Sequence, residues 1–100
     1  MEMDPTNLDS LKELAPNEDT SSKYGGWWKS FVGRSGINSS REPTEADFYT
    51  ELKWRRNDNG DGKGMKGSSL WTLYSGINLA YMSIYGVKLD VKVSILYISI

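Results

Sequence analysis

The sequence predicts a small α+β domain, with a strand–helix–strand centre over residues 45–100 and a polar, largely disordered arm over residues 1–44. Three observations predict it. Residues 68–100 hold the longest apolar-rich run, with no charged residue between Gly67 and Val87. Within that run the apolar spacing changes from helical to alternating just past Gly86, which reads as a helix followed by a strand. The rest of the chain is polar enough to hold apolar residues to 38% overall, near the low end for a globular chain. One hundred residues make one small domain and not two.

The net charge of −1 conceals an asymmetry. Residues 1–22 carry six acids, Glu2, Asp4, Asp9, Glu13, Glu18 and Asp19, against Lys12 alone; the remainder carries eleven bases and seven acids. An acidic arm precedes a mildly basic body. The chain has neither Cys nor His. A structural zinc site, a Ser-His-Asp or Cys-His nucleophile pair and a disulfide framework are therefore excluded. The acidic opening, MEMDPTNLDS, has no apolar run of the kind a secretory leader needs. A cytoplasmic location is the expectation.

Taken in order, residues 4–15 read as a short helix. Asp4 suits the N-cap, Pro5 the first helical position, and Pro16 the stop. Leu8, Leu11 and Leu14 fall on one face. Two readings stand side by side: a fraying terminal helix, or an acidic amphipathic peptide that folds into a partner's groove. Residues 16–23 read as a linker.

Residues 23–36, KYGGWWKSFVGRSG, interleave Tyr24, Trp27, Trp28 and Phe31 with Lys23, Lys29 and Arg34. Indole rings favour a membrane–water interface and cations favour anionic headgroups. The expected contact set for a membrane surface or partner is Tyr24, Trp27, Trp28, Lys29, Phe31 and Arg34. The same residues also fit a segment in which one Trp caps the core and the other lies across the surface. Nucleic-acid stacking is the weaker alternative.

Residues 37–47 read as a polar loop. Phe48, Thr50, Leu52 and Trp54 alternate with Tyr49, Glu51 and Lys53, the pattern of a half-buried strand. Glu42, Glu45, Asp47 and Glu51 read as a solvated face. The glycine-rich segment 57–67 places Asn57, Asn59, Asp61 and Gly62 much as a calcium loop would. Such a loop needs a carboxylate first and a bidentate Glu twelfth. Here those positions are Asn57 and Ser68, so turns explain the segment and no metal is expected.

A helix is expected from Leu70, capped by Ser68 or Ser69, with Leu70, Leu73, Ile77, Ala80 or Tyr81, and Ile84 inward. Gly76 within it signals close packing or a kink, and Gly86 stands where a helix-ending glycine belongs. Eight of residues 68–87 are Ser, Thr, Asn or Gly, too polar a set for a bilayer span. Beyond it, Val87 to Ile95 alternate as an amphipathic strand, and the run continues apolar to Ile100. Such an edge is expected to be covered by a further strand, by a second copy or by a continuation of the chain. Self-association is placed on Val91, Val93, Ile95 and Tyr97.

FYTELKWRR, residues 48–56, and LWTLYSG, residues 70–76, together resemble rhabdovirus matrix proteins. There a strand ends in basic residues and a helix carries Trp…Tyr-x-Gly, matched here by Trp71, Tyr74 and Gly76. The acidic arm and the lack of adjacent prolines depart from that family's pattern. The resemblance implies membrane-associated assembly, self-association and contact with nucleocapsid.

The functional expectation is a non-enzymatic interaction or assembly protein that contacts itself, a partner protein or a membrane surface. The alternative is a soluble monomeric binding module using the acidic N-terminal helix. No cofactor, small-molecule substrate or nucleic acid is expected, and neither a phosphate-cradling glycine motif nor a carboxylate pair in an apolar setting is present.

Overall fold

A computed structural model describes residues 4–87. Over these the chain is all-α, which corrects the α+β expectation. Four helices follow one another: α1 (Leu11–Leu14), α2 (Glu18–Ser35), α3 (Glu45–Asn57) and α4 (Gly67–Tyr85). The only β-pairing among the described residues is an isolated Asn38–Arg41 bridge. The strand expected after Gly86 begins at Val87, and nearly all of it, with Val91, Val93, Ile95 and Tyr97, lies outside the described residues.

α4 is the centre, and α1, α2 and α3 all pack on it. Its inward stripe is Leu70, Leu73, Ile77, Ala80, Tyr81 and Ile84, all buried. The helix opens at Gly67 with no side-chain cap, earlier than the expected Ser68 or Ser69 cap. Gly86 closes it at φ 77°, a left-handed conformation that costs glycine little. Gly76 marks a close approach. A Cβ there would lie 2.6 Å from Tyr24 Cδ1 and 2.9 Å from Trp27 Cε3.

The polar arm is corrected over its described part. Residues 18–35 form an 18-residue helix that supplies Trp28 and Phe31 to the core, both 0% exposed. Asn17 caps it by accepting from the Thr20 amide at 2.8 Å, and Glu18 and Asp19 sit in the first turn, where the helix dipole favours acids. Gly36 ends it at φ 69°. The glycines at 25, 26 and 33 disfavour a helix locally, and burial of Trp28 and Phe31 overrides that preference. The expected helix over 4–15 shrinks to α1. Residues 4–9 form turns stapled by the Asp4 carboxylate to Thr6, and the Trp28 indole N–H donates to the Pro5 carbonyl at 2.6 Å.

The strand expected over 48–54 is the middle of α3. Thr44 and Asp47 form a reciprocal capping box: the Thr44 hydroxyl accepts from the Asp47 amide, and the Asp47 carboxylate accepts from the Thr44 amide at 2.8 Å. The inward face is Phe48, Glu51 and Leu52. The residues that the matrix-protein resemblance sets as a strand are therefore helical. Phe31 and Phe48 meet at 5.0 Å between ring centroids and Phe48 and Tyr81 at 5.9 Å, which ties α2, α3 and α4 into one aromatic core.

Candidate functional site

The densest chemistry lies where the end of α2 meets α3. Glu51 is 3% exposed, not the solvated acid expected from its polar neighbours. Two guanidinium groups hold it. Arg34, in the last turn of α2, donates from Nε to Glu51 Oε1 at 3.0 Å and from Nη2 to Oε2. Arg55, one turn along α3, donates from Nε to Oε2 at 2.9 Å and from Nη1 to Asn59 Oδ1 at 3.0 Å. Both carboxylate oxygens are engaged, so this acid positions its neighbours. A buried carboxylate with two bidentate-capable partners is one of the few arrangements in which burial of charge is tolerated.

The Arg34 guanidinium also lies 4.1 Å from the centroid of the Trp54 ring, and Arg55 lies 5.4 Å from it. The backbone at Gly60 also lies against the ring: a Cβ there would sit 3.8 Å from it, in ordinary contact. The indole is thus clamped at the surface by cations and backbone. With Tyr49, Thr50, Lys53 and Asn57 it lines an open groove of about 420 Å³ along α3. The groove has aromatic walls and a lysine on its rim.

The expected contact set is divided by the helical period. Trp28 and Phe31 point into the core. Tyr24 and Trp27 stack on each other at 5.6 Å and cover Gly76. Lys23 lies over the Trp27 ring at 5.1 Å. Lys29 is exposed beside a second groove near Leu8 and Gly25, and Arg34 is committed to Glu51 and Trp54. The aromatics of residues 23–36 therefore do not form one outward face. Of the partner-helix leucines, Leu11 is buried and Leu8 packs against Gly25, while Leu14 stays 44% exposed.

The glycine-rich loop is closed by its own two aspartates. Asp58 accepts from the Gly62 amide at 2.9 Å, and Asp61 accepts from the amides of Lys63 and Gly64. Gly64 is obligatory: a Cβ would meet the Arg56 carbonyl. Among the described residues, no group of three or more acids could hold a metal ion, and no helix is long and apolar enough to cross a membrane.

Sequence reasoning missed Glu51, Trp54 and Tyr49 as a unit. Two signals point to them: Thr44-x-x-Asp47 ahead of an apolar residue is a helix-start pattern, and Glu51 and Arg55 stand at the i,i+4 spacing of a helical ion pair. No family model, no curated protein and no solved structure matches this chain.

Proposed function

We propose that this chain is a non-enzymatic interaction module that receives an acidic, apolar-tipped segment of a protein partner on the outer face of α3. The observation that carries this reading is the clamped Trp54 indole beside Lys53. Tryptophan and arginine dominate the energetics of protein interfaces. A side chain already held in one rotamer has less entropy left to lose on binding. The groove is also of the size that ordinarily seats a ligand group.

Panning a library of linear peptides on the wild-type chain tests the reading. Sequences pairing Asp or Glu with Leu, Phe or Trp are expected to be enriched. Their binding should shift amide resonances of α3 first. Lys53 is exposed, so Lys53→Glu keeps the fold; it should weaken the selected peptides by about tenfold, equivalent to about 1.4 kcal/mol. No enrichment, or equal binding by Lys53→Glu and Trp54→Ala, would overturn the reading.

A further inference from the structure

We infer that the groove on α3 is filled by the α1 corner of a second copy of this chain. This rests on the reading of that groove as a partner site and names its occupant. Leu14 ends α1 with its side chain 44% exposed, followed by Ala15 in extended conformation and an exposed Pro16. Glu13 precedes Leu14 in α1, and Glu18 and Asp19 follow in the first turn of α2, all exposed and without an ion pair among the described residues. The helix dipole accounts for Glu18 and Asp19 at the start of α2. Leu14, directly after Glu13, adds an exposed apolar side chain to this acidic stretch. The corner is an apolar knob with an acidic rim.

The α3 groove is its complement in shape and sign. Tyr49 and Trp54 form apolar walls and Lys53 is an exposed cation on the rim, also without an ion pair among the described residues. The surrounding charge agrees. Residues 4–22 carry five acids against Lys12, while residues 51–66 carry five bases against Glu51, Asp58 and Asp61, with Arg55 paired to Glu51. Opposed fields of this kind steer two surfaces together and fix their register.

The two surfaces belong to separate parts of the fold. α1 packs on α2 and α4, and α3 packs on the same two helices, but α1 and α3 make no contact. A knob therefore seats in the groove of another copy. The contact is heterologous, with unlike patches meeting, and contacts of that type propagate into rings or open chains.

Sedimentation velocity on the full chain, from micromolar to millimolar, tests the inference. The wild-type mass is expected to rise with concentration and to fall back as salt is added. Leu14→Glu and Lys53→Glu change exposed side chains and should each abolish the rise. An equimolar mixture of the two should restore association and stop at two chains, because only one intact knob and one intact groove then meet. A wild type that stays monomeric, variants that still associate, or a mixture that stays monomeric would overturn the inference. If selected peptides still bind α3 in a monomeric wild type, the groove serves another protein and only the occupant is wrong. If no peptide binds either, both readings fall.

Discussion

Along the seam between α2 and α4, Trp28, Phe31, Leu73, Ile77 and Ala80 bury apolar surface while Tyr24 and Trp27 close over Gly76, whereas α3 is seated by Phe48 and Leu52 on either side of a buried carboxylate. The first contact is driven by area removed from water, which has no preferred direction. Close approach at Gly76 gives it its shape. The second adds a directional bond set: Glu51 meets Arg34 from α2 and Arg55 from its own helix. That set fixes the rotation of α3 about its axis, and with it the direction in which Trp54 faces. The apolar seam supplies stability, and the ionic seat positions a surface.

The largest effect should come from the seat. Glu51→Ala leaves two guanidinium groups facing each other with no anion between them. Breaking a buried pair in this way costs about 3–5 kcal/mol, and the partial exposure of Arg34 sets the expectation at about 3 kcal/mol in urea denaturation. Replacing all three charges, with Glu51→Leu, Arg34→Met and Arg55→Met together, should recover most of that loss, since apolar residues of similar volume often do as well. The triple variant would still lose peptide binding on α3, because nothing clamps the indole. A cost for Glu51→Ala no larger than that of a surface pair would remove the distinction between the two regions.

The seam is tested by its glycine. Gly76→Ala gains about 1 kcal/mol of helix propensity but drives a methyl into Tyr24 and Trp27 near the base of their rings. Overpacking of that kind costs about 1–3 kcal/mol, so a net loss is expected, and Gly76→Leu should lose more. Gly26 is the internal control. A Cβ there meets nothing within 4 Å, and Gly26→Ala should raise stability by about 0.4–1 kcal/mol. Thermal melts of the two alanine variants should move in opposite directions. Movement in the same direction would mean that the α2–α4 approach is looser than its geometry indicates.

The contrast also decides what could be read before the fold was known. The α4 stripe was legible almost residue by residue, with Gly76 marked for close packing or a kink and Gly86 for the helix end, because apolar burial prints its period directly into the chain. α3 was not legible. Its helical face runs Phe48, Glu51, Leu52, Arg55, and that period appears only when a glutamate is counted as inward. Counted as outward, the same residues alternate and imitate a strand. α2 was obscured by its small residues: Gly25 serves Leu8 and Leu11 of a distant segment, a tertiary reason invisible to local propensity. The candidate groove followed α3 into obscurity, since only a helix sets Tyr49 beside Lys53 and Thr50 beside Trp54 at i,i+4 spacing, the groove's lining.

A modest effect belongs to the start of α3 and separates the capping chemistry from the ionic seat a turn further on. Thr44→Ala removes one half of the capping box and should cost about 1 kcal/mol. Asp47 is the titratable half. Partial burial pushes its carboxyl up, but hydrogen bonds from Arg41 and from the amide and hydroxyl of Thr44, with the Arg41 charge, outweigh this and hold it below the ordinary 3.8. A carboxylate depressed in the folded state contributes its full stability above 3.8 and loses it as pH falls through the lower folded value. The gap in melting temperature between wild type and Asp47→Asn should therefore be widest near neutral pH and close below 3.8. Because Asp47 does not touch Arg34, Trp54 or Lys53, peptide binding on α3 should be unchanged in this variant at neutral pH. A gap that persists unchanged far into acid would show that Asp47 acts through packing rather than charge.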